Sequence, residues 1–505
     1  MWLRCLAVFV AVGMLLTTVL DGTEPNGATR RWWSHVQALA NDSMRGRDTG
    51  SPEHRMAAEY VARNFEQNGI RPAGELAYFQ PVPLHALRLR PDRSTAVLSR
   101  NGSSQPLKWL QHITVAPAAE LPDRISGEMV FIGSDNGASV ETAGKIAVRL
   151  NPIRFVAGPP QPPAPPGVAA VIGIDSAIGP EPARWPAQYA VAMTLADTPI
   201  PRAQGLTTFR FNPAFADLLL DGTGHRYADL LEVAARGGAV PSFRLGASVQ
   251  LVPQFDRQTL SSDNVIGVLP GTDPALATQY VVLSAHIDGY GIGEPWKDDR
   301  IYNGAFDDAA YVATLLDFAE KLRQSGTRLR RSLLFAVVTG EEKGLLGSRY
   351  YTQHLTVPKE QLVANINLDQ LRPVFPLHTL TMHAVDESTL GDTVRQVAAE
   401  MNIRIQADPE PLRNLMRRSD NFSFVQIGVP ATGFVFGYVP GSRDEAAYRR
   451  WYADRYHTPL DDLSQPWVPE AAAKFNDFFG RVVTALANAD EAPRWKPGSQ
   501  FAPRN

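Results

Sequence analysis

The chain has 505 residues, 44% of them hydrophobic, which is enough for a substantial core and for more than one folding unit. Its 49 Lys and Arg residues nearly balance its 52 Asp and Glu residues, and the net charge of -3 gives no electrostatic reason to expect nucleic acid or an anionic membrane as a partner. Because Cys5 is the only cysteine, an internal disulfide and a cysteine-based zinc site are excluded, and any metal must use His, Asp and Glu.

Residues 1–22 have the pattern of an export signal. Arg4 is followed by an apolar run that ends before Asp21. The run is shorter than the roughly 20 residues that usually span a bilayer. We expect a cleaved signal peptide, with an uncleaved anchor as the alternative, and therefore an exported protein that is periplasmic or secreted.

The next two segments differ in their pattern of apolar residues. Residues 30–78 contain two helical patterns, the second running over Pro52–Asn68 with Ser51 as its N-cap. Residues 79–254 consist of short apolar runs separated by Gly and Pro, which predicts a β-rich insert.

From residue 255 to 490, buried-strand patterns alternate with helical ones, and residues 491–505 form a tail. The alternation predicts an α/β domain with a mixed, largely parallel sheet and helices on both faces. In such sheets the ligand site lies beyond the carboxyl ends of the strands. The predicted strands are Tyr280–Ser284, Ser332–Thr339, Val363–Leu368, Thr379–His383 and Ala431–Phe436, and the predicted helices are Asp308–Arg323, Leu345–His354, Leu390–Met401 and Pro469–Ala487.

A His-x-Asp pair follows the first of these strands. His286 and Asp288 have side chains on the same side if the extended conformation continues. A metal-bound histidine commonly donates its second ring nitrogen to a carboxylate, so Asp288 fits the role of a residue that orients His286. A structural histidine is the alternative.

Two acidic pairs follow at the ends of other elements. Asp307 and Asp308 stand where a helix is expected to begin; a capping role suits Asp308, whereas Asp307 is placed to bridge two cations. Glu341 and Glu342 end a buried strand, and neighbouring side chains on an extended chain point to opposite sides. One glutamate can therefore bind metal while the other faces the attacking water. A solvated glutamate pair is the alternative.

Two further candidates are Asp369, which closes a strand, and His457, beside Pro459. Alone, Asp369 suits a helix cap and His457 a surface loop. Together with the earlier candidates they give five groups of the types that zinc accepts, all at strand ends or in adjoining loops.

The ordered motifs over residues 264–465 resemble the family of co-catalytic zinc peptidases that includes bacterial leucyl aminopeptidases and glutamate carboxypeptidases. The series keeps the order of that family. It comprises His286-x-Asp288, Asn303-Gly304-Ala305-x-Asp307-Asp308, Glu341-Glu342-x-Gly344, Asn367-x-Asp369 and Tyr456-His457-Thr458-Pro459.

The resemblance implies two zinc ions per chain, held in the zinc aminopeptidase fold. Asp307 would bridge the ions, His286 and Asp369 would complete one site, and Glu342 and His457 the other. Glu341 would be the general base, with Asp288 beside it in the catalytic set. The resemblance also implies a cis peptide between Asp307 and Asp308, and it likens the β-rich insert to a protease-associated domain.

The chain departs from the family pattern at two positions. Tyr311 replaces a common glycine in the first helical turn, which bears on packing beneath the site, and Asn421 replaces a common histidine and receives no catalytic role. Arg417 and Arg418 are candidates to bind a substrate carboxylate, against a surface basic pair. Tyr438 is a candidate oxyanion donor, against ordinary packing.

These observations predict a zinc-dependent exopeptidase that hydrolyses N-terminal residues from peptides, by attack of a bridging water or hydroxide that Glu341 activates. A carboxypeptidase or dipeptidase of the same fold is the nearest alternative. A non-catalytic binding ectodomain and an acyl-transferring cyclase are the others; the complete set of ligands argues against the ectodomain, and the intact glutamate pair favours hydrolysis.

Overall fold

The computed structural model describes residues 25–152, 163–176, 185, 191–202, 205–296 and 298–503. The export signal or anchor expected at residues 1–22 lies outside these ranges. Within them, no helix combines the length and apolar character needed to cross a membrane.

Elements are numbered in chain order. The strands of the described ranges are β1 (Arg71–Pro72), β2 (Phe79–Leu89), β3 (Thr95–Arg100), β4 (Ser103–Pro106), β5 (Ile113–Val115), β6 (Ile125–Phe131), β7 (Ile146–Pro152), β8 (Ala170–Ser176), β9 (Val191–Leu195), β10 (Thr208–Phe211), β11 (Phe243–Val252), β12 (Phe255–Leu269), β13 (Tyr280–His286), β14 (Gly291–Trp296), β15 (Asp299–Tyr302), β16 (Ser332–Val338), β17 (Leu362–Leu368), β18 (Thr379–Met382), β19 (Arg404–Gln406) and β20 (Ala431–Phe436).

The α-helices of the same ranges are α1 (Arg30–Ala40), α2 (Pro52–Gln67), α3 (Asp217–Leu220), α4 (Tyr227–Ala235), α5 (Ala310–Ser325), α6 (Leu346–Gln353), α7 (Leu390–Glu400), α8 (Asn421–Gln426), α9 (Arg443–Asp454) and α10 (Pro469–Asn488). Each strand and helix predicted between residues 280 and 487 is present, within a few residues of its expected bounds.

The larger sheet has ten strands in the order β19-β18-β20-β17-β13-β16-β12-β2-β9, with β1 paired to β12. Its central strands β20, β17, β13 and β16 are parallel. The ladders that join β16, β12, β2 and β9 are antiparallel, as is the ladder between β18 and β20. The predicted α/β class is confirmed, and the parallel pairing is concentrated at the centre, where the site lies.

Helices cover both faces of this sheet. Along β13, Val281, Leu283 and Ala285 pack into a core shared with α1, α2, α5, α7 and α10, because alternate residues of a strand face opposite sides. Val282 faces the other way, into a core shared with α6, α8 and the tail, where Trp495 donates its indole N–H to the backbone oxygen of Gly428 at 2.9 Å.

The first two helices lie against the larger sheet. Ser51 caps α2 as expected, since its hydroxyl accepts from the backbone N–H of His54 at 3.0 Å. Trp32 donates its indole N–H to the backbone oxygen of Ala310 at 2.8 Å, and Trp33 stacks on Trp467 with ring centroids 4.6 Å apart. The N-terminal segment is thus fixed beside the start of α5.

The smaller sheet has eight strands in the order β4-β3-β11-β6-β7-β8-β10-β5 and its own apolar core. The bounds expected for the β-rich insert, 79–254, do not coincide with this sheet. Strands β2 and β9 fall inside that range but pair in the larger sheet. Short apolar runs identify strands, but they do not say which sheet a strand joins, because pairing is decided by contacts distant in sequence.

Candidate metal centre

The candidate ligands lie at the carboxyl edge of the central strands. His286 is the last residue of β13, Glu341 and Glu342 follow β16, and Asp369 directly follows β17. Because β13 is parallel to both neighbours, their carboxyl ends meet at one edge. Asp307 reaches the same edge from the turn between β15 and α5.

Asp307 stands between two histidines. Its Oδ1 lies 3.2 Å from Nε2 of His286, and its Oδ2 lies 3.3 Å from Nε2 of His457. Each carboxylate oxygen therefore faces a different imidazole, which is the arrangement expected of a carboxylate shared between two cation sites.

Two sets of side chains around Asp307 have the spacing of a metal site. Ligand atoms of His286, Asp307 and Asp369 lie within 4.8 Å of one another, and so do those of Asp307, Glu342 and His457. A third set joins His286 with Glu341 and Glu342. Spacing alone therefore does not decide which of the two glutamates would bind metal. All five residues that the sequence marked as ligands meet here.

The hydrogen bonding of these groups fits a metal. The buried oxygens Oδ2 of Asp307, Oε1 of Glu342 and Oδ1 of Asp369 have no hydrogen-bond partner. Leaving a buried acceptor unsatisfied is costly, more so when it is charged. Imidazole nitrogen and carboxylate oxygen are the ligands that zinc accepts, so these residues suit such an ion.

The concentration of acidic groups shifts their pKa values. Burial, and then the charges of Asp369 and Glu342, raise the pKa of Glu341 well above its ordinary value. Burial and the charge of Asp307 raise the pKa of Asp369 to about 6. Burial lowers the pKa of His286, but hydrogen bonding to Asp288 and Asp307 outweighs it and leaves the pKa well above its ordinary value. The protein holds negative charge here that a bound cation would relieve.

Asp288 connects three parts of the site. Its Oδ1 accepts from the backbone N–H of Glu341 at 3.0 Å, and its Oδ2 accepts from that of Glu342 at 3.3 Å and from the hydroxyl of Thr49 at 3.1 Å. Nδ1 of His286 lies 3.7 Å from Oδ1 and 3.1 Å from the backbone oxygen of Asp288. The carboxylate of Asp288 thus contacts the backbone of both glutamates, whereas Nδ1 of His286 lies closer to the backbone oxygen of Asp288 than to its carboxylate.

The capping role expected for Asp308 is wrong. Helix α5 begins at Ala310, and Asp308 has non-helical backbone angles after a cis peptide bond from Asp307, the bond that the family resemblance implied. Its carboxylate instead accepts from the backbone N–H of His286 at 3.2 Å and of Gln370 at 3.3 Å. Asp308 therefore joins two ligand-bearing strand ends, a non-local role that helix periodicity could not reveal.

Asp461 holds the Asp307 turn from the opposite side, and the sequence analysis missed it. Its two oxygens accept from the backbone N–H groups of Phe306 at 2.9 Å and Asp307 at 3.0 Å. Burial raises its pKa to about 7 despite these bonds. The available signal was the acidic pair four residues after His457.

A cavity of 430 Å³ opens over the ligands. Glu341, Arg417 and Arg418 line it, so the basic pair does face the site. Tyr290 also lines it and donates its hydroxyl to Oε2 of Glu342, a contact that no motif indicated. Tyr438, the candidate oxyanion donor, is not among the lining residues and packs its ring 4.8 Å from that of Tyr448.

The two departures from the family pattern are both buried. Tyr311 packs beneath the site, with its ring 5.4 Å from that of Phe475 and its hydroxyl donating to the backbone oxygen of Phe434 at 2.9 Å. Asn421 donates its amide to the sulfur of Met416 at 3.1 Å and does not line the cavity.

Two curated proteins resemble this chain over about half of its length. Leupeptin-inactivating enzyme 1 of Streptomyces exfoliatus is 24% identical over 247 residues, which cover 47% of this chain and 51% of the relative. The probable leucine aminopeptidase 2 of Aspergillus oryzae is 25% identical over 232 residues, which cover 43% of each. The chain thus matches about half the length of these curated relatives.

The fold is shared over nearly the whole chain. The structure of BSAP, a zinc aminopeptidase from Bacillus subtilis, superposes with a TM-score of 0.56 and 15% identity, covering 95% of this chain and 98% of that one. The sequence profile of peptidase family M28 matches residues 264–483, which include all five candidate ligands. Over that segment, the chain is similar to peptidase family M28.

Proposed function

We propose that this protein is a zinc-dependent exopeptidase that removes residues from the N-terminus of peptides and binds two zinc ions. One observation carries the proposal: Asp307 turns one oxygen toward His286 and the other toward His457. Zinc is the favoured ion because the donors are imidazole and carboxylate, and because the similarly folded BSAP is described as a zinc aminopeptidase.

In the proposed assignment, Asp307 would help to hold both ions. His286 and Asp369 complete one site, with His286 Nε2 4.0 Å from Asp369 Oδ1. Glu342 and His457 complete the other, with His457 Nε2 3.5 Å from Glu342 Oε2. The buried oxygens Oε1 of Glu342 and Oδ1 of Asp369, which have no hydrogen-bond partner, support this division.

Glu341 is the proposed general base. Bound zinc would supply Lewis acidity, the chemistry that polarises a scissile carbonyl and lowers the pKa of water. Glu341 lines the cavity, and its raised pKa lets it accept a proton from the attacking water and then give that proton to the leaving amine. The oxygen of the water bonds to the carbonyl carbon, and the bond from carbon to nitrogen breaks.

A carboxypeptidase is the second candidate, because Arg417 and Arg418 line the cavity on which the acidic ligands converge. An aminopeptidase places the substrate's free amine beside the carboxylates, whereas a carboxypeptidase places the substrate's terminal carboxylate beside the arginines. The guanidinium of Arg417 stacks 4.9 Å from the ring of Phe422, which gives it a structural role as well. We therefore rank the aminopeptidase first.

A matched panel of short peptides separates the candidates. The zinc-loaded protein is assayed on one sequence with a free or acetylated N-terminus and a free or amidated C-terminus. Loss of cleavage on acetylation alone is the expected result. Loss on amidation alone would move the assignment to the carboxypeptidase, and cleavage of the doubly blocked peptide would exclude an exopeptidase.

We further propose that residues 1–22 direct export and that the smaller sheet is a protease-associated type of insert. The apolar run after Arg4 supports export. N-terminal sequencing of the protein recovered from outside the cytoplasm tests it: an N-terminus beyond this run indicates a cleaved signal, whereas an intact N-terminus in the membrane fraction indicates an anchor.

A further inference from the structure

Residues 46–49, here called the N-terminal clamp, lie outside the family match yet contact the loops that carry the ligands. The clamp lies between α1 and α2 and comprises Gly46, Arg47, Asp48 and Thr49. Its backbone oxygens at Arg47 and Gly46 accept from the N–H groups of Gly289 at 3.1 Å and Gly291 at 3.0 Å. The clamp therefore runs alongside the segment that follows His286.

The side chain of Arg47 links two ligand loops. It is 1% exposed. Its Nε donates to the backbone oxygen of Ile287 at 2.8 Å, its Nη1 to that of Asn303 at 2.7 Å, and its Nη2 to that of Gly304 at 3.0 Å. Ile287 adjoins His286, while Asn303 and Gly304 begin the turn that carries Asp307. One rigid guanidinium thus spans the two loops whose ligands lie 3.2 Å apart.

Arg47 is also tied to the N-terminal helix, because its Nη1 donates to the backbone oxygen of Leu39 in α1 at 2.5 Å. Every nitrogen of the guanidinium has a backbone oxygen as acceptor, and none of these bonds goes to a carboxylate. Arg47 therefore determines the relative position of main-chain segments rather than neutralising one acidic side chain.

Thr49 extends the clamp to a third loop. Its hydroxyl donates to Oδ2 of Asp288, the carboxylate that accepts from the backbone of Glu341 and Glu342. Arg47 and Thr49 together reach the loops after β13 and β16 and the turn before α5. Three of the five chain segments that carry the proposed ligands are thus joined through four consecutive residues.

The clamp fits closely. A Cβ atom on Gly46 would lie 2.5 Å from the backbone oxygen of Tyr302 and 2.6 Å from that of Gly291, and one on Gly304 would lie 3.1 Å from Nη2 of Arg47. Gly46 also has a φ of +72°, in the left-handed region that favours glycine. The contact leaves little room for the loops to shift independently.

We propose that Arg47 is a positioning residue, which holds the His286 and Asp307 loops at the separation that zinc binding and turnover require. The proposal rests on the proposed function for its effect on turnover, but its effect on zinc affinity is independent of which substrate is cleaved.

A purely structural role is the competing explanation, and Arg331 provides a matched control. Arg331 is also 1% exposed, and its guanidinium donates to backbone oxygens of Leu486, Ala489 and Asp490. Arg331 directly precedes the start of β16, whereas Glu341 follows the end of that strand. The length of the strand therefore separates Arg331 from the site by about 20 Å. Arg331 thus shares the burial of Arg47 and its bonding to several backbone oxygens, although its Nε donates to the side chain of Gln279 at 2.7 Å, and it lies away from the site.

The experiment compares Arg47→Lys with Arg331→Lys in the full exported chain. Lysine keeps the charge but cannot span several carbonyls with a planar fork. Four quantities are measured: thermal stability in excess EDTA, zinc affinity by competition with a chromophoric chelator, and kcat and KM at saturating zinc. Both variants should lose thermal stability, while only Arg47→Lys should lose zinc affinity, by about 10- to 100-fold, with a fall in kcat larger than the change in KM.

Thr49→Val is a second variant of the clamp, since it removes one hydroxyl and keeps the side-chain shape. It should weaken zinc binding by a smaller factor than Arg47→Lys does. If Arg47→Lys does not fold, the zinc affinity of Thr49→Val alone tests whether the clamp affects zinc binding. Wild-type zinc affinity in the folded clamp variants, or an equal loss in Arg331→Lys, overturns the proposal. If the wild-type protein binds zinc but cleaves no peptide, the proposed function fails while the affinity comparison still tests the clamp.

Discussion

The two sheets treat buried acidic groups differently. In the smaller sheet, Asp175 is fully buried and accepts from Nε of Arg210 at 2.9 Å and from the amide of Asn151 at 3.0 Å. At the edge of the larger sheet, Asp307 and Asp369 each keep a buried oxygen without a hydrogen-bond partner. The protein satisfies Asp175 by itself, which indicates a structural role, whereas the unsatisfied oxygens of Asp307 and Asp369 lie beside histidines, which fits a site for a cation.

Glu341→Gln tests whether the acidic groups at the edge of the larger sheet are catalytic, and it should have the largest effect on kcat. The substitution removes the proposed base but none of the five proposed ligands, so kcat should fall by about 10²- to 10⁴-fold. Zinc content, measured by atomic absorption after gel filtration, should stay at the wild-type level. A kcat within tenfold of wild type would assign the base elsewhere.

Matched substitutions test the contrast directly. Asp307→Asn should abolish or severely weaken zinc binding, because it removes the carboxylate that faces both histidines. Asp175→Asn should keep zinc content but lose about 3 kcal/mol of unfolding free energy, since it breaks a buried ion pair with Arg210. Zinc titration and urea unfolding in EDTA measure the two effects, and an Asp175 variant that loses zinc would refute the division of roles.

His383 sharpens the comparison within the larger sheet, because its buried ring nitrogens also lack partners. Burial, assisted by the charge of Arg372, lowers its pKa from 6.5 to about 4. Between these pH values the unfolded chain binds a proton that the folded chain does not, so stability should fall as pH falls through this window, by about 3 kcal/mol in total. In urea unfolding with EDTA, the unfolding free energy of His383→Leu should depend less on pH than that of the wild type. An unchanged pH dependence would exclude His383 as its cause.

Tyr311→Phe should have the smallest effect. It removes a hydroxyl that donates to the backbone oxygen of Phe434. Because the protein itself satisfies this hydroxyl, its role is structural. Unfolding free energy should fall by about 1 to 2 kcal/mol. Zinc content and kcat should remain close to wild type, and a large loss of either would show that the contact beneath the site also positions the ligands.

Sequence patterns located the elements well, and the five candidate ligands that they singled out lie together in the structure, because both depend on local signals. Buried runs such as Ser332–Val338 and the polar residues that follow them are readable from consecutive positions. The central strands then bring those positions together through parallel pairing, for which the alternation of strands and helices was sufficient evidence.

The residues that support the site were harder to predict. Arg47, Thr49 and Asp461 contact the ligand loops across roughly 150 to 260 residues of sequence, and no periodicity reports such contacts. The local signal for the clamp is limited to Gly46 and Gly50, which lie between the two N-terminal helices. Long-range pairing likewise hid the membership of β2 and β9 in the larger sheet.

The ladder between β2 and β12 has an evolutionary consequence. Leu89 at the end of β2 pairs with Phe255 at the start of β12, so the chain leaves the larger sheet and returns to it at adjacent positions. Partner residues of an antiparallel pair lie close enough for a short hairpin turn to join them. An ancestor could acquire or discard the whole intervening sheet at this point without stretching the catalytic half, and the cost would fall on β2, which would lose β9 and become an exposed edge.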